Sequence, residues 1–473
     1  MPPVLSNRGF LLLWLGQIIS QSAQNAILFA LITIVTDKTG STTQSTAVVL
    51  SYVVPTVVFG VFAGVLVDRW SKRRLLILTN IGRAVAALAF FFARDHVTAF
   101  FGITMVLASF SQIYTTSNAA SIPFMVSRKQ LISANSLYSG GFTLAQITGL
   151  IILSPLILKT AGPGALFISA AVAFLLASGL ARFLPYIGNE GEEEKEQAFP
   201  GREEFRGALS EFRTALRSLR ADPVSSLAMA HIATSSTLIL LVAIIVPKYM
   251  QAILDVPPDN AVTVFAPLAF GALFGLRAVP WIVARMGKTR TVALGLFGLA
   301  VALAGFGLVE TIADGLQRTD SFNPFGTDRV FGLSILVALT MVIAGPMGFS
   351  YALLNAPAQT LLHERTPVEM RGRVFASQMV LANGVALLPL VVVGGVVDLF
   401  GVSKVVLGIA FLIAATGAIT LHLERRWLRG EGGLPPGGED GGGGLPPGGE
   451  DGGEQAPPEE DSSASIDTTE TVG

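Results

Sequence analysis

The stretch Gly64-Val65-Leu66-Val67-Asp68-Arg69-Trp70-Ser71-Lys72-Arg73-Arg74 joins two apolar runs, 46–67 and 75–93. A bilayer core about 30 Å thick is crossed by roughly 20 apolar residues of helix. Two such runs separated by four cations and one acid are two membrane spans and the short loop between them. Lysine and arginine accumulate in loops that stay inside the cell, so this loop sets the orientation.

Working outward, twelve such spans are counted: 10–34, 46–67, 75–93, 97–119, 133–158, 163–184, 224–247, 261–284, 291–309, 331–356, 374–397 and 405–421. None contains Asp or Glu. A carboxylate at the bilayer midplane costs about 3 kcal/mol on insertion scales, so that absence supports the count. The composition agrees, with 51% hydrophobic residues, 14% charged and a mean hydropathy of +0.61. Soluble domains carry about 25% charged residues. The run from Phe10 is read as the first span, because it is long for a signal peptide and lacks a small-residue cleavage site.

The loops placed inside hold twelve Lys/Arg: Arg69, Lys72, Arg73, Arg74, Arg128, Lys129, Arg285, Lys288, Arg290, Arg365, Arg371 and Arg373. The six opposite loops share seven. The bias predicts a multi-pass protein of the plasma or bacterial inner membrane with both termini cytoplasmic.

Four regions follow: a six-span half (1–184), a cytoplasmic linker (185–223), a second six-span half (224–424) and a tail (425–473). The linker carries Phe205, Leu209, Phe212, Leu216 and Leu219 at helical spacing among arginines, the pattern of an amphipathic helix in the headgroup plane. The tail repeats GGLPPGGEDGG at 432–442 and 443–453, and residues 430–473 hold eleven of the 33 acids and no Lys or Arg. The rest of the chain therefore has 22 acids against 32 bases. A tail of Gly, Pro, Glu and Asp cannot offset the entropy of ordering and is expected to be disordered.

Several chemistries are excluded. There is no cysteine, so no thiol nucleophile or disulfide. Four scattered histidines predict no metal cluster, and no cofactor is expected. No P-loop is present, no Ser/His/Asp set is evident, and the basic residues track a membrane face rather than a nucleic-acid groove. The chain does not read as an enzyme.

The two halves echo one another. Arg285-Met286-Gly287-Lys288-Thr289-Arg290 follows the eighth span as Asp68–Arg74 follows the second, and Asn118-Ala119 is echoed by Asn355-Ala356. GVLVDRWSKRR resembles the signature loop of the major facilitator superfamily, G-x3-D-R-x-G-x-R-R. NAPAQTLLHERTPVEMRGRVFAS (355–377) and SIPFMVSRKQLISANSL (121–137) are similar to its enterobactin exporter and macrolide efflux branch. The resemblance covers residues 8 to about 425. It implies an all-α membrane protein of two six-helix bundles that rock about a central cavity, and a gate formed by Gly64, Asp68, Arg69, Arg73, Arg371 and Arg373. Ser71 replaces the loop glycine and the second copy lacks the Asp. In the fifth span Gly140 and Gly149 fit the family's antiporter motif, but Ser154-Pro155 stands for Gly-Pro and is shifted by one residue.

Gln17, Gln21, Gln24 and Asn25 form a stripe at i, i+4, i+7 and i+8 on the first span. Amides in lipid are found where partners exist, so the stripe faces the bundle interior, binding substrate or joining helices. Gln112, Gln146 and Asn383 are further cavity candidates. Arg277 and Arg83 lie well inside spans, where an arginine either snorkels to the headgroups or finds a carbonyl, water or an anionic ligand. His231 is the one group inside a span with a near-neutral reference pKa. Protons are the candidate coupling ion, with His231 or Asp68 as carrier.

The leading expectation is a monomeric secondary transporter exporting amphipathic small molecules such as drugs, macrolides or siderophores. A preference for anionic or zwitterionic substrates is expected from the two arginines. The alternatives are a lysophospholipid flippase and a non-transporting membrane sensor or scaffold.

Overall fold

The computed structural model describes residues 4–127, 130–185, 222–318, 329–330, 333–365 and 371–428, with isolated positions of the linker. The linker helix and the acidic tail lie outside the described residues, as do the side chains of Asp68, Arg371 and Arg373.

The first half runs α1 (Arg8–Thr39), α2 (Thr42–Arg69), α3 (Lys72–Phe92), α4 (Val97–Met125), α5 (Leu131–Ile147) and α6 (Ser154–Arg182), with a π-helical turn, Thr148–Leu153, between the last two. The second half runs α7 (Pro223–Ala252), α8 (Ala261–Met286), α9 (Lys288–Gly307), a short α10 (Val309–Arg318), α11 (Ile335–Arg365), α12 (Arg371–Phe400) and α13 (Val402–Leu428). Helix starts and stops follow local chemistry. The Asn7 side chain accepts from Phe10 N at 3.1 Å to cap α1, which ends on Gly40 at φ 64°. Asp222 caps α7 through Val224 N and Ser225 N, with Pro223 at the first position.

Eleven described helical stretches are long and apolar enough to cross a membrane. One of them, Ser133–Arg182, is 50 residues long. Straight, it would measure about 75 Å, more than twice the bilayer core. It is not straight: Gly162 sits at φ 77°, ψ 176°, ahead of Pro163, a conformation open to glycine alone among common residues. The break gives two crossings and restores the twelve spans. The one described departure from an all-helical chain is a ladder of two residues per strand, β1 (Arg329–Val330) with β2 (Leu333–Ser334).

The one-residue shift of Pro155 has a physical reason. It falls just after the π turn, whose wider winding takes up an extra residue. A Cβ at Gly149 within that turn would meet the Ser22 carbonyl and lie 2.7 Å from Asn25 Cβ. This glycine lets α1 and the π turn touch backbone to backbone.

Within the first half, α1 packs on α5 and α6, α3 on α4 and α6, and α2 on α4. In the second, α11 packs on α7, α8 and α9, and α9 on α13. The halves meet chiefly along α2 and α12, and less along α1 and α7. Large apolar side chains such as Phe92, Phe274, Leu388, Leu399 and Phe411 point outward and are 69–81% exposed. Buried positions hold Gln17, Asn80, Arg83 and His231. An apolar outer surface over an interior that also holds amides, an arginine and a histidine suits lipid.

Candidate functional site

α2 and α12 run antiparallel in close contact. Thr42 meets Asp398, Thr46 meets Gly394, Thr56 meets Asn383 and Gly60 meets Val380. At the end marked by Thr42, Asp398 in the last turn of α12 caps the start of α2. Its carboxylate accepts from Thr42 N at 3.0 Å, Thr43 N at 3.0 Å, Thr43 Oγ1 at 2.8 Å and Ser41 Oγ at 3.2 Å. A charge-assisted cap on a helix N-terminus joins hydrogen bonding to the helix dipole. Gly394 allows the approach: a Cβ there would overlap Thr46 Oγ1 and lie 2.8 Å from Thr43 Cα. Lys248 Nζ donating to Gly40 O at 2.7 Å and Gln251 Nε2 to Asp37 Oδ1 at 3.3 Å add to the same closure.

α2 ends at Arg69 and α12 starts at Arg371, both at the ends of these helices away from the Thr42–Asp398 contact. The sequence-expected gate thus shares one end of the α2–α12 pair, and Asp398 marks the other. Arg69 and Gly64 lie half-buried in the last turns of α2. Arg73 donates to the carbonyl of Arg182, joining α3 to α6 within its own half.

Between the halves is an open cavity in two connected parts, about 460 and 140 Å³ in volume, sharing Ser139, Thr143, Tyr351, Asn355 and Gln359. The wider part reaches Glu364, which pairs with Lys288 at the end of the molecule that carries the basic loops. The inner part is lined by Asn25 and Gln146 from the first half and by Asn355, Gln359, Gln378 and Asn383 from the second. Of the sequence candidates, Asn25, Gln146 and Asn383 therefore reach the cavity.

The remaining amides stand behind its wall. Gln17 Nε2 donates to Tyr138 O at 3.1 Å and Gln21 Nε2 to Thr115 Oγ1 at 3.4 Å, both buried. Gln112 is buried in α4 beside Gly60. Gln24 donates to Tyr52 Oη, a cavity residue, and accepts from Arg83. The stripe expected on α1 is thus mostly helix-joining, with Asn25 alone lining the cavity.

Arg83 does not snorkel. It is fully buried, donates to Ser20 Oγ at 2.7 Å, Ser20 O at 3.3 Å and Asn80 Oδ1 at 3.4 Å, and lies between the rings of Tyr114 and Phe174 at 4.6 and 4.3 Å. Neutral oxygens and two π faces compensate the cation, so no bound anion is needed. Arg277 is exposed on α8 and lines none of the described cavities. The expectation of an anionic substrate loses both of its arginines. His231 Nε2 lies 2.8 Å from Thr420 Oγ1, tying α7 to α13 away from the cavity.

Sequence reading missed Asp398 and the stripe Tyr351, Asn355, Gln359. The stripe was detectable as a spacing of four on α11. Asp398 sat just beyond a counted span, where an acid is unremarked.

The sequence profile of the Major Facilitator Superfamily matches residues 13–389. The chain belongs to the major facilitator superfamily. This major facilitator protein is 22% identical over 433 residues, 89% of its length and 94% of the relative's, to an uncharacterized MFS-type transporter, YfiS, of Bacillus subtilis (strain 168). Its fold is similar to the nucleoside transporter NupG, with a TM-score of 0.63 and 12% identity over 88% of this chain and 99% of that one. The POT family transporter PepTSo matches with a TM-score of 0.64 and 12% identity over 89% and 99%. At such identities the likeness is one of fold. As a major facilitator protein the chain is a multi-pass membrane transporter for small molecules.

Proposed function

We propose that this transporter is a secondary exporter of amphipathic small molecules, such as drugs, macrolides or siderophores, working by alternating access in the plasma or inner membrane. The observation that carries the reading is a single cavity lined from both halves, open towards the basic loops and closed at the other end by Asp398 on α2. With the basic face cytoplasmic, this is the inward-open state. Rocking of 1–184 against 224–424 breaks the Asp398 cap and brings together the ends of α2 and α12 that carry Asp68 and Arg371, where Gly64, Arg69, Arg73 and Arg373 also gather. The similarity of 355–377 to macrolide and enterobactin exporters supports outward direction. Protons remain the candidate coupling ion, with Asp398 joining Asp68 as a carboxylate at a moving contact.

The test is efflux. Cells expressing the chain are compared with cells lacking it against a panel of toxic amphiphiles. Raised tolerance to at least one, with faster loss of that compound from preloaded cells, is expected. Equal tolerance and equal loss across the panel contradict export. A lysophospholipid flippase is the second reading, favoured by an apolar pocket adjoining the cavity.

A further inference from the structure

The inner cavity carries no acid, base or histidine among its described lining residues; it is walled by amides, hydroxyls and carbon. Its amides are partly committed. Asn25 Nδ2 donates to Gln21 O at 2.8 Å, Asn355 Oδ1 accepts from Ser235 Oγ at 3.1 Å, and Gln359 Oε1 accepts from Gln378 Nε2 at 3.1 Å. The uncommitted side of that set is mixed. Gln378 Oε1 is a buried acceptor with no partner, and the NH2 groups of Asn355 and Gln359 are donors. A hydroxyl or an amide can answer both kinds. A carboxylate or phosphate only accepts, and an ammonium only donates.

Charge points the same way. When both ends close, a bound ion loses bulk water, and no described lining group of the inner cavity supplies a counter-charge. The cations that could do so are elsewhere: Arg83 is held by neutral oxygens behind the wall, and Arg277 is on the outer face. Glu364, at the wide mouth, is already paired with Lys288.

The adjoining apolar pocket completes the description. It lies between the π turn and α7, α8 and α11, and it shares Leu150, Ile239, Ala243 and Tyr351 with the inner cavity. Every lining side chain is hydrocarbon or thioether except the phenol of Tyr351 and the backbone at Gly348. Its volume of about 90 Å³ is room for a short hydrocarbon segment rather than for a whole drug-sized ligand.

We infer that this cavity takes uncharged amphiphiles, with a hydroxyl- or amide-bearing head on Asn355, Gln359 and Gln378 and a hydrocarbon part against Leu150 and Ile239. The inference builds on the transport reading above and narrows its substrate class.

The experiment measures binding to the purified full chain in nanodiscs, using hexyl β-glucoside, hexyl phosphate, hexyltrimethylammonium and lysophosphatidylcholine as probes. The glucoside is expected to bind at least about tenfold more tightly than either charged hexyl probe, a difference of about 1.4 kcal/mol. Gln378→Leu and Gln359→Leu should each weaken glucoside binding by about tenfold. Ile239→Trp should remove the gain in affinity from hexyl to octyl glucoside. The probe comparison on the unsubstituted chain stands even where a variant folds poorly. Equal or tighter binding of a charged probe or of the lysophospholipid overturns the inference, as does no glucoside binding at all. Failure here is separable from failure of transport: glucoside bound but never exchanged across the membrane removes the transport reading alone, whereas efflux of a charged amphiphile with no glucoside bound removes this inference alone.

Discussion

Asp398 Oδ2 accepts hydrogen bonds from both the backbone N–H and the hydroxyl of Thr43, at 3.0 and 2.8 Å, across 355 residues of chain. The bond pair joins the last turn of one helix to the first turn of another from the opposite half. Each of the antiparallel helices α2 and α12 carries an acid near its C-terminal end, Asp68 and Asp398, and Asp398 meets the start of its partner.

Substituting Asp398→Asn keeps the shape and removes the charge. Hydrogen bonds to charged groups contribute about 1.5–3 kcal/mol, more than neutral ones, and the helix dipole adds about 0.3–1 kcal/mol. A loss of roughly 2 kcal/mol shifts a two-state equilibrium about thirtyfold away from closure at this end. The chain lacks cysteine, so a single Gln44→Cys reports the change through its labelling rate with a membrane-impermeant maleimide. Labelling that is no faster in the Asp398→Asn background would show that the cap does not hold this end shut.

Arg83 is fixed by geometry a lysine cannot reproduce, with four oxygen partners and two ring faces around one planar group. Arg83→Lys is expected to lower the thermal midpoint of the purified protein and to slow transport, because Gln24 links Arg83 to the cavity residue Tyr52. The Tyr52→Phe substitution, which breaks only the outer link, should slow transport while leaving the midpoint near that of the parent. If both variants transport normally, the buried network is packing and nothing more.

Arg277→Gln is expected to leave transport unchanged, since the side chain is exposed on α8 and meets no described cavity. Transport of any substrate falling severalfold in this variant, with normal membrane insertion, would place Arg277 in the route.

What the residues alone revealed follows from the strength of each signal. Twelve spans were legible because lipid demands a long uninterrupted apolar run, and the stretch through Gly162 was already divided into 133–158 and 163–184. The α1 stripe was legible as buried, but not in its division of labour. Amide spacing gives one face of a helix, whereas Gln24 and Asn25 differ only in which neighbour each meets. Asp398 was invisible for a related reason. An acid just past a span satisfies every hydropathy rule, and its partners lie more than 350 residues away in the chain.

Alternating access requires the two ends of the cavity, the Asp398 end and the wide mouth, to open in turn. Its most direct measurement is a pair of spin-label distances in the reconstituted full chain, one between positions 44 and 399 and one between positions 135 and 360. Two populations are expected in which one distance lengthens as the other shortens, with Asp398→Asn enriching the population that is long at 44–399. Distances that lengthen together, or a single unchanging population in both proteins, would contradict it.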